Sequence, residues 1–170
     1  MIDKLLSLLH VPADAGQITL SGVADGLEGL LLAKFIQDNA NIAVFVARDA
    51  SRMSDIEQIL RFAAPGVKRI SLPAWDCLPY DRVSPSTSVS AQRLNALARI
   101  GRLSRQEKPA PTLILTTANA LLQRTANPVR IAKQIISVKA GGVASMDALI
   151  EAAATNGFER VPTVHEVGEF

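Results

Sequence analysis

Ile42-Ala43-Val44-Phe45-Val46-Ala47 is an unbroken apolar run of strand length, and Met53, Ile56, Leu60 and Ala63 follow it as a stripe at helical spacing. A run of that kind marks a strand buried on both faces, and a strand followed by a helix and another strand marks a parallel crossover. The alternation recurs along the chain. Leu27, Leu30, Leu31 and Phe35 predict a helix over about residues 25–39, and Asp49 is placed to cap the helix that carries Met53. Arg69–Leu72 reads as a short strand. Ala91, Leu94, Leu97, Ala98 and Gly101 predict the inner face of a helix over about 91–105, capped by Ser90. Thr112–Thr116 is a further buried strand, and Thr117 opens a short helix through Leu121. Upstream, Gln17–Ser21 reads as a strand ending at Gly22, and residues 3–10 as a short amphipathic helix. The expected class is α/β, a three-layer parallel sheet with helices on both faces.

Around Asn127-Pro128 the rhythm changes. Gln134–Val138 reads as an alternating strand, Gly141-Gly142 as a turn, and Ser145 as the cap of a helix with Met146, Leu149, Ile150 and Ala153 on one face. Gly157 ends that helix, and Val161–Val164 is extended. The expected division is residues 1–130 as one α/β domain and 131–170 as an incomplete α+β domain. Apolar residues make up 48% of the 170, enough for a sizeable core. The single Cys excludes an internal disulfide framework and fits a reducing compartment. No stretch reaches the roughly 18 apolar residues of a membrane span, and the start of the chain lacks a signal-peptide cleavage site. The expectation is a cytoplasmic protein with no membrane partner. A net charge of +2 does not by itself point to nucleic acid.

A strand, then Gly22, then a helix is where a phosphate-binding loop would stand. That loop needs Gly-x4-Gly-Lys-Ser/Thr, because glycine amides wrap the phosphates, the ammonium neutralises them and the hydroxyl holds magnesium. Counted from Gly22, the second glycine is Leu27, the lysine is Glu28 and the hydroxyl is Gly29. Asp25 and Glu28 would complement the helix dipole and repel an anion. The motif is degenerate, and no cofactor is expected. No catalytic residue is nominated. His10 and His165 have no ligand-spaced partners, so no metal site is expected.

Between the second predicted strand and the 91–105 helix lies Leu72-Pro73-Ala74-Trp75-Asp76-Cys77-Leu78-Pro79-Tyr80-Asp81-Arg82-Val83-Ser84-Pro85. It holds the only Trp, Tyr and Cys and three of nine prolines. Proline fixes φ and removes a donor, so this is a rigid connection and not an element interior. Trp75 and Tyr80 would pin it to the sheet edge; a base-stacking platform is the alternative. Arg99, Arg102, Arg105 and Lys108 form a basic run that reads as a solvated face or as a weak DNA or protein contact.

The residues Pro73, Trp75, Asp76, Leu78, Pro79, Tyr80, Asp81, Ser84 and Pro85, with Val89 and Arg93-Leu94, resemble a signature of the bacterial transcription-repair coupling factors (Mfd). Val46–Asp49, Thr117–Arg124 and the Gly157-Phe158 to Gly168-Glu169-Phe170 stretch match in the same order. The region is similar to domains 1a and 2 of the excision-repair protein UvrB. The resemblance implies a RecA-like domain that has lost its phosphate loop, followed by the start of a second domain that docks UvrA. It implies Arg160 as a partner-binding residue, since an arginine on an edge segment can fork onto a partner's carboxylate. Contacts with RNA polymerase and DNA, and the motor itself, would belong to other regions of such a factor. The competing reading is a degenerate helicase half that binds DNA through the 91–105 helix.

Overall fold

The computed structural model describes residues 16–17, 19–39, 42–78, 82–127, 131, 135–136, 138–166 and 168–170. The helix expected over residues 3–10 lies outside them, as do Pro79, Tyr80 and Asp81. The order of elements is α1 (Leu27–Asn39), β1 (Ile42–Ala47), α2 (Ala50–Ala63), β2 (Lys68–Leu72), α3 (Thr87–Leu103), β3 (Thr112–Thr117), α4 (Ala118–Leu122) and α5 (Met146–Thr155). The three strands form one parallel sheet in the order β1-β3-β2. In register, Ile42 pairs with Thr112 and Ala47 with Thr117 on one side of β3, and Lys68 pairs with Thr112 and Leu72 with Thr116 on the other. The expected α/β class with helices on both faces is the observed one.

One face is covered by α1 and α2. Ala33, Ile36, Ile56, Leu60, Leu113 and Leu115 are buried there, with Ala43 and Phe45 packed against them. The α2 stripe falls as its spacing predicts, and Ile56 and Leu60 are fully buried. The stripe of α1 is shifted. Leu30 is largely exposed, whereas Leu31, Ala33 and Ile36 are buried, because α1 meets α2 along the Gly29-Ala33-Ile36 line. The other face is covered by α3, through Ala96 and Leu103 on Ile70 and Leu72. This helix begins at Thr87, capped by Ser86, rather than after Ser90. Its inner line is Arg93, Ala96, Ile100 and Leu103, and Ala91 and Leu94 face outward. Because α3 lies over β2 and β3, only one face of β1 is buried. Ile42, Val44 and Val46 remain 41%, 56% and 43% exposed, which corrects the expectation of burial on both faces.

Two expected strands do not form among the described residues: Gln17 and Thr19–Ser21 carry no ladder, nor do Ile135, Ile136 and Val138. In place of the second, Glu159 and Glu169 make an isolated parallel bridge, in which Glu159 N–H donates to Gly168 O at 2.8 Å and Phe170 N–H to Glu159 O at 2.9 Å. The Ser145 hydroxyl caps α5 as expected, accepting from Ala148 N–H at 3.3 Å. No residue of α5 is buried, and Met146 is 70% exposed.

Asp49 caps α2 by accepting from Arg52 N–H at 2.9 Å, and Arg48 Nε donates to its other oxygen at 2.8 Å. The backbone bond first, and then the Arg48 bond, hold its carboxyl below the ordinary range. A carboxyl depressed in the folded state contributes stability above its unfolded pKa of about 4 and loses it as pH falls through the folded value. Asp49→Ala is therefore expected to melt below the parent at pH 7, with the gap narrowing below about pH 4. Thermal denaturation at pH 7 and pH 3 checks this, and a gap that widens on acidification contradicts it.

Candidate functional site

Three places bear on function. The first is the turn into α1. Gly22 and Gly26 both have positive φ, at 70° and 87°, and Leu27 N–H closes the turn on Ala24 O at 3.0 Å. Glu28 points at α2, where its carboxylate is ion-paired with the Arg52 guanidinium. Asp25 lies 3.5 Å from the same Arg52 nitrogen. Gly29 is buried against Ile59. A Cβ there would stand 2.7 Å from Ile59 Cγ2 and 3.0 Å from Ile59 Cβ, so the position has no room for the Ser or Thr of a phosphate loop. The residue in the lysine position is an acid already committed to a cation, and the hydroxyl position is filled by the neighbouring helix.

The second place is the proline-rich loop after β2, and its centre is a residue the sequence reading passed over except as part of a signature. Arg93, on the inner face of α3, is 1% exposed. Its Nη1 donates to Pro73 O, and at 3.3 Å to Gln123 Oε1. Its guanidinium lies over the Trp75 ring, 4.4 Å from the centroid, in cation–π contact. Gln123 Oε1 also accepts from Trp75 N–H at 2.8 Å. Asp76 accepts from Ser86 N–H at 3.1 Å, tying the loop to the residue that caps α3, and hydrogen bonding from the Ser86 side chain, and then from its backbone, holds the Asp76 carboxyl below its usual range. Pro73, Trp75 and Asp76 are thus brought together with Arg93 and Gln123. Among the described residues no acceptor meets Arg93 Nε or Nη2. Burial lowers the pKa of this guanidinium from the ordinary arginine value. One face of Trp75 is taken by Arg93, which favours the pinning role over base stacking. The signal for Arg93 was its position three residues before Ala96 and seven before Ile100 on the stripe that faces the sheet.

The third place is the segment after α4 and the helix face opposite it. Arg160 is exposed and lies between Glu159 and Val161, whose backbone amides bond to Gly168 O and Phe170 O. The Glu169 carboxylate accepts from His165 N–H at 2.7 Å and steadies the turn between them. Between this segment and the outer face of α3 runs a cleft of about 820 Å3, lined by Leu94, Ala98, Arg99 and Arg102 on one wall and by Ile135, Ile136 and Phe158 on the other. Arg99 donates from Nη2 to Arg69 O at 2.7 Å, so it braces α3 on β2 as well as facing the cleft. Among the described residues no three His, Cys, Asp or Glu side chains are grouped to hold a metal, and no helix is long and apolar enough to cross a membrane.

Fold and site together describe a parallel α/β scaffold in which the turn into α1 is closed by the Glu28–Arg52 pair and by Ile59 against Gly29. Comparison with known proteins points further. The chain is similar to transcription-repair-coupling factors: 24% identical over 152 residues to that of Haemophilus influenzae, 28% over 164 residues to that of Escherichia coli, and 33% over 108 residues to that of Myxococcus xanthus. These matches cover 89%, 94% and 63% of this chain. They cover 13%, 13% and 8% of the relatives, so the chain spans about an eighth or less of their length. No family model matches.

Proposed function

We propose that this chain is a protein-recruitment module of transcription-coupled nucleotide excision repair, docking UvrA without ATPase activity of its own. On this reading residues 1–130 are a UvrB-like domain 1a with a degenerate nucleotide site, and 131–170 begin a UvrB-like domain 2. It acts in the cytoplasm, and the contacts with RNA polymerase and DNA belong to other regions of the factor. The observation that carries the proposal is similarity to coupling factors along nearly the whole chain. The Glu28–Arg52 pair and the Gly29–Ile59 contact support the absence of nucleotide chemistry. The apolar lining of the cleft beside α3 favours docking of protein over duplex DNA.

Arg160 supplies the cation of the docking surface. A guanidinium on an exposed edge makes charge-assisted, bidentate bonds to a carboxylate, each worth about 1.5–3 kcal/mol. Arg160→Glu in this chain is expected to weaken UvrA binding by about tenfold or more, measured by titration calorimetry. Unchanged affinity removes Arg160 from the surface. Salt-dependent binding of a DNA duplex with no binding of UvrA would transfer the function to the basic helix.

A further inference from the structure

The cleft beside α3 has features that UvrA docking through Arg160 does not use. Its α3 wall runs from Thr87 to Arg102, about 22 Å at 1.5 Å per residue, the length of a four-turn helix. Leu94 is 47% exposed on that wall, and Ile136 and Phe158 are 41% and 43% exposed opposite it. Large apolar side chains facing one another across open space mark a surface that gains by being covered. Arg99 and Arg102 stand at one end, and among the described residues no carboxylate lines the cleft. Phosphates would gain from the arginines but nothing from Leu94, Ile136 and Phe158. A cationic apolar peptide would meet like charge. We infer that this cleft receives an acidic amphipathic helix of a partner protein, with apolar anchors between Leu94 and Phe158 and carboxylates against Arg99 and Arg102. Such a helix presents anchors at i, i+3, i+4 and i+7, the mode by which grooves walled by helices take helical ligands. Charge complementarity selects this occupant, and Arg160 is not among the residues that line the cleft.

The test uses the whole 170-residue chain and a fluorescein-labelled synthetic peptide of about 16 residues, with leucines at those spacings and glutamates elsewhere. A second peptide replaces every glutamate by lysine. In fluorescence anisotropy the glutamate peptide is expected to bind about tenfold or more tightly than the lysine peptide, and less tightly as salt rises. Arg102→Glu is expected to weaken it about tenfold, and Ala98→Phe, which fills the cleft, to abolish binding with the circular dichroism spectrum unchanged. Asn95→Phe, on the same wall, serves if Ala98→Phe does not fold. Equal affinity for the two peptides, no binding of the glutamate peptide at about 1 mM, or displacement of the peptide by a DNA duplex overturns the inference. So does a dimer of this chain that Ala98→Phe dissociates, which would give the cleft to a second copy.

Discussion

Arg93→Ala is expected to lower the unfolding free energy by about 3 kcal/mol, and Arg93→Met by less than half of that. The alanine variant leaves a cavity under the Trp75 loop, of the kind that costs about 2–5 kcal/mol when a long buried side chain is truncated. It also strips the donor from Pro73 O and Gln123 Oε1 and removes the cation from the Trp75 ring. The loss is partly offset, because a buried guanidinium with two nitrogens unmet among the described residues is itself costly to hold. Methionine separates these contributions. It keeps the bulk against Trp75, where a thioether also packs well, and removes the charge that burial penalises. Trp75 is the only tryptophan, so its fluorescence reports on this loop alone. The alanine variant should shift emission to the red in the folded state, and the methionine variant much less. Urea unfolding followed by that emission gives both numbers. Equal destabilisation by alanine and methionine would mean that the bonds of Arg93, and not its volume, hold the loop.

The central strand and α2 could be read from the chain because each is set by a single strong regularity. Thr112–Thr116 is apolar enough to be buried on both faces, and Ile56 and Leu60 repeat on a stripe stopped by Pro65-Gly66. The inner face of α3 was legible only in part: Leu97 packs on the sheet as its spacing predicts, but a reading confined to apolar residues placed Ala91 and Leu94 inward and left out Arg93. Leu94 and Ala98 are as well spaced as Ala96 and Ile100, and the choice between the two faces is decided by Arg93, whose burial depends on a loop 20 residues earlier. Helical periodicity cannot register a cation whose counterpart is an aromatic face and a backbone carbonyl. The half-exposed face of β1 was out of reach for a similar reason. Its composition states that it tolerates burial on both sides, whereas burial itself depends on where α3 crosses the sheet. The degeneracy of the phosphate loop was visible as Glu28 in the lysine position, but the contact between Gly29 and Ile59 is a tertiary fact. Arg160 was singled out by resemblance alone; its exposed place beside the Glu159–Glu169 bridge comes from the fold.

Rebuilding the phosphate loop, by Leu27→Gly, Glu28→Lys and Gly29→Thr together, is expected to yield a chain about 4 kcal/mol less stable that still binds no ATP. Each replacement meets an obstacle outside the motif. Glycine at Leu27 gives up about 1 kcal/mol of helix propensity at the start of α1. Lysine at 28 removes the acid that pairs with Arg52 and sets two cations side by side in a half-buried place. Threonine at 29 drives its Cβ to within 3 Å of the branched part of Ile59, which α2 holds from behind, and overpacking of this kind costs about 1–3 kcal/mol. The single variant Gly29→Ala isolates the steric part: helix propensity favours it by about 1 kcal/mol, yet it is expected to be net destabilising because Ile59 Cβ cannot rotate away. Denaturation curves for the single and triple variants, with titration of a fluorescent ATP analogue in the presence of magnesium, test the argument. Saturable nucleotide binding by the triple variant would show that α2 yields at Ile59 and that charge at position 28 alone had closed the site. Saturable binding by the parent chain would remove the basis for reading it as a docking scaffold without nucleotide.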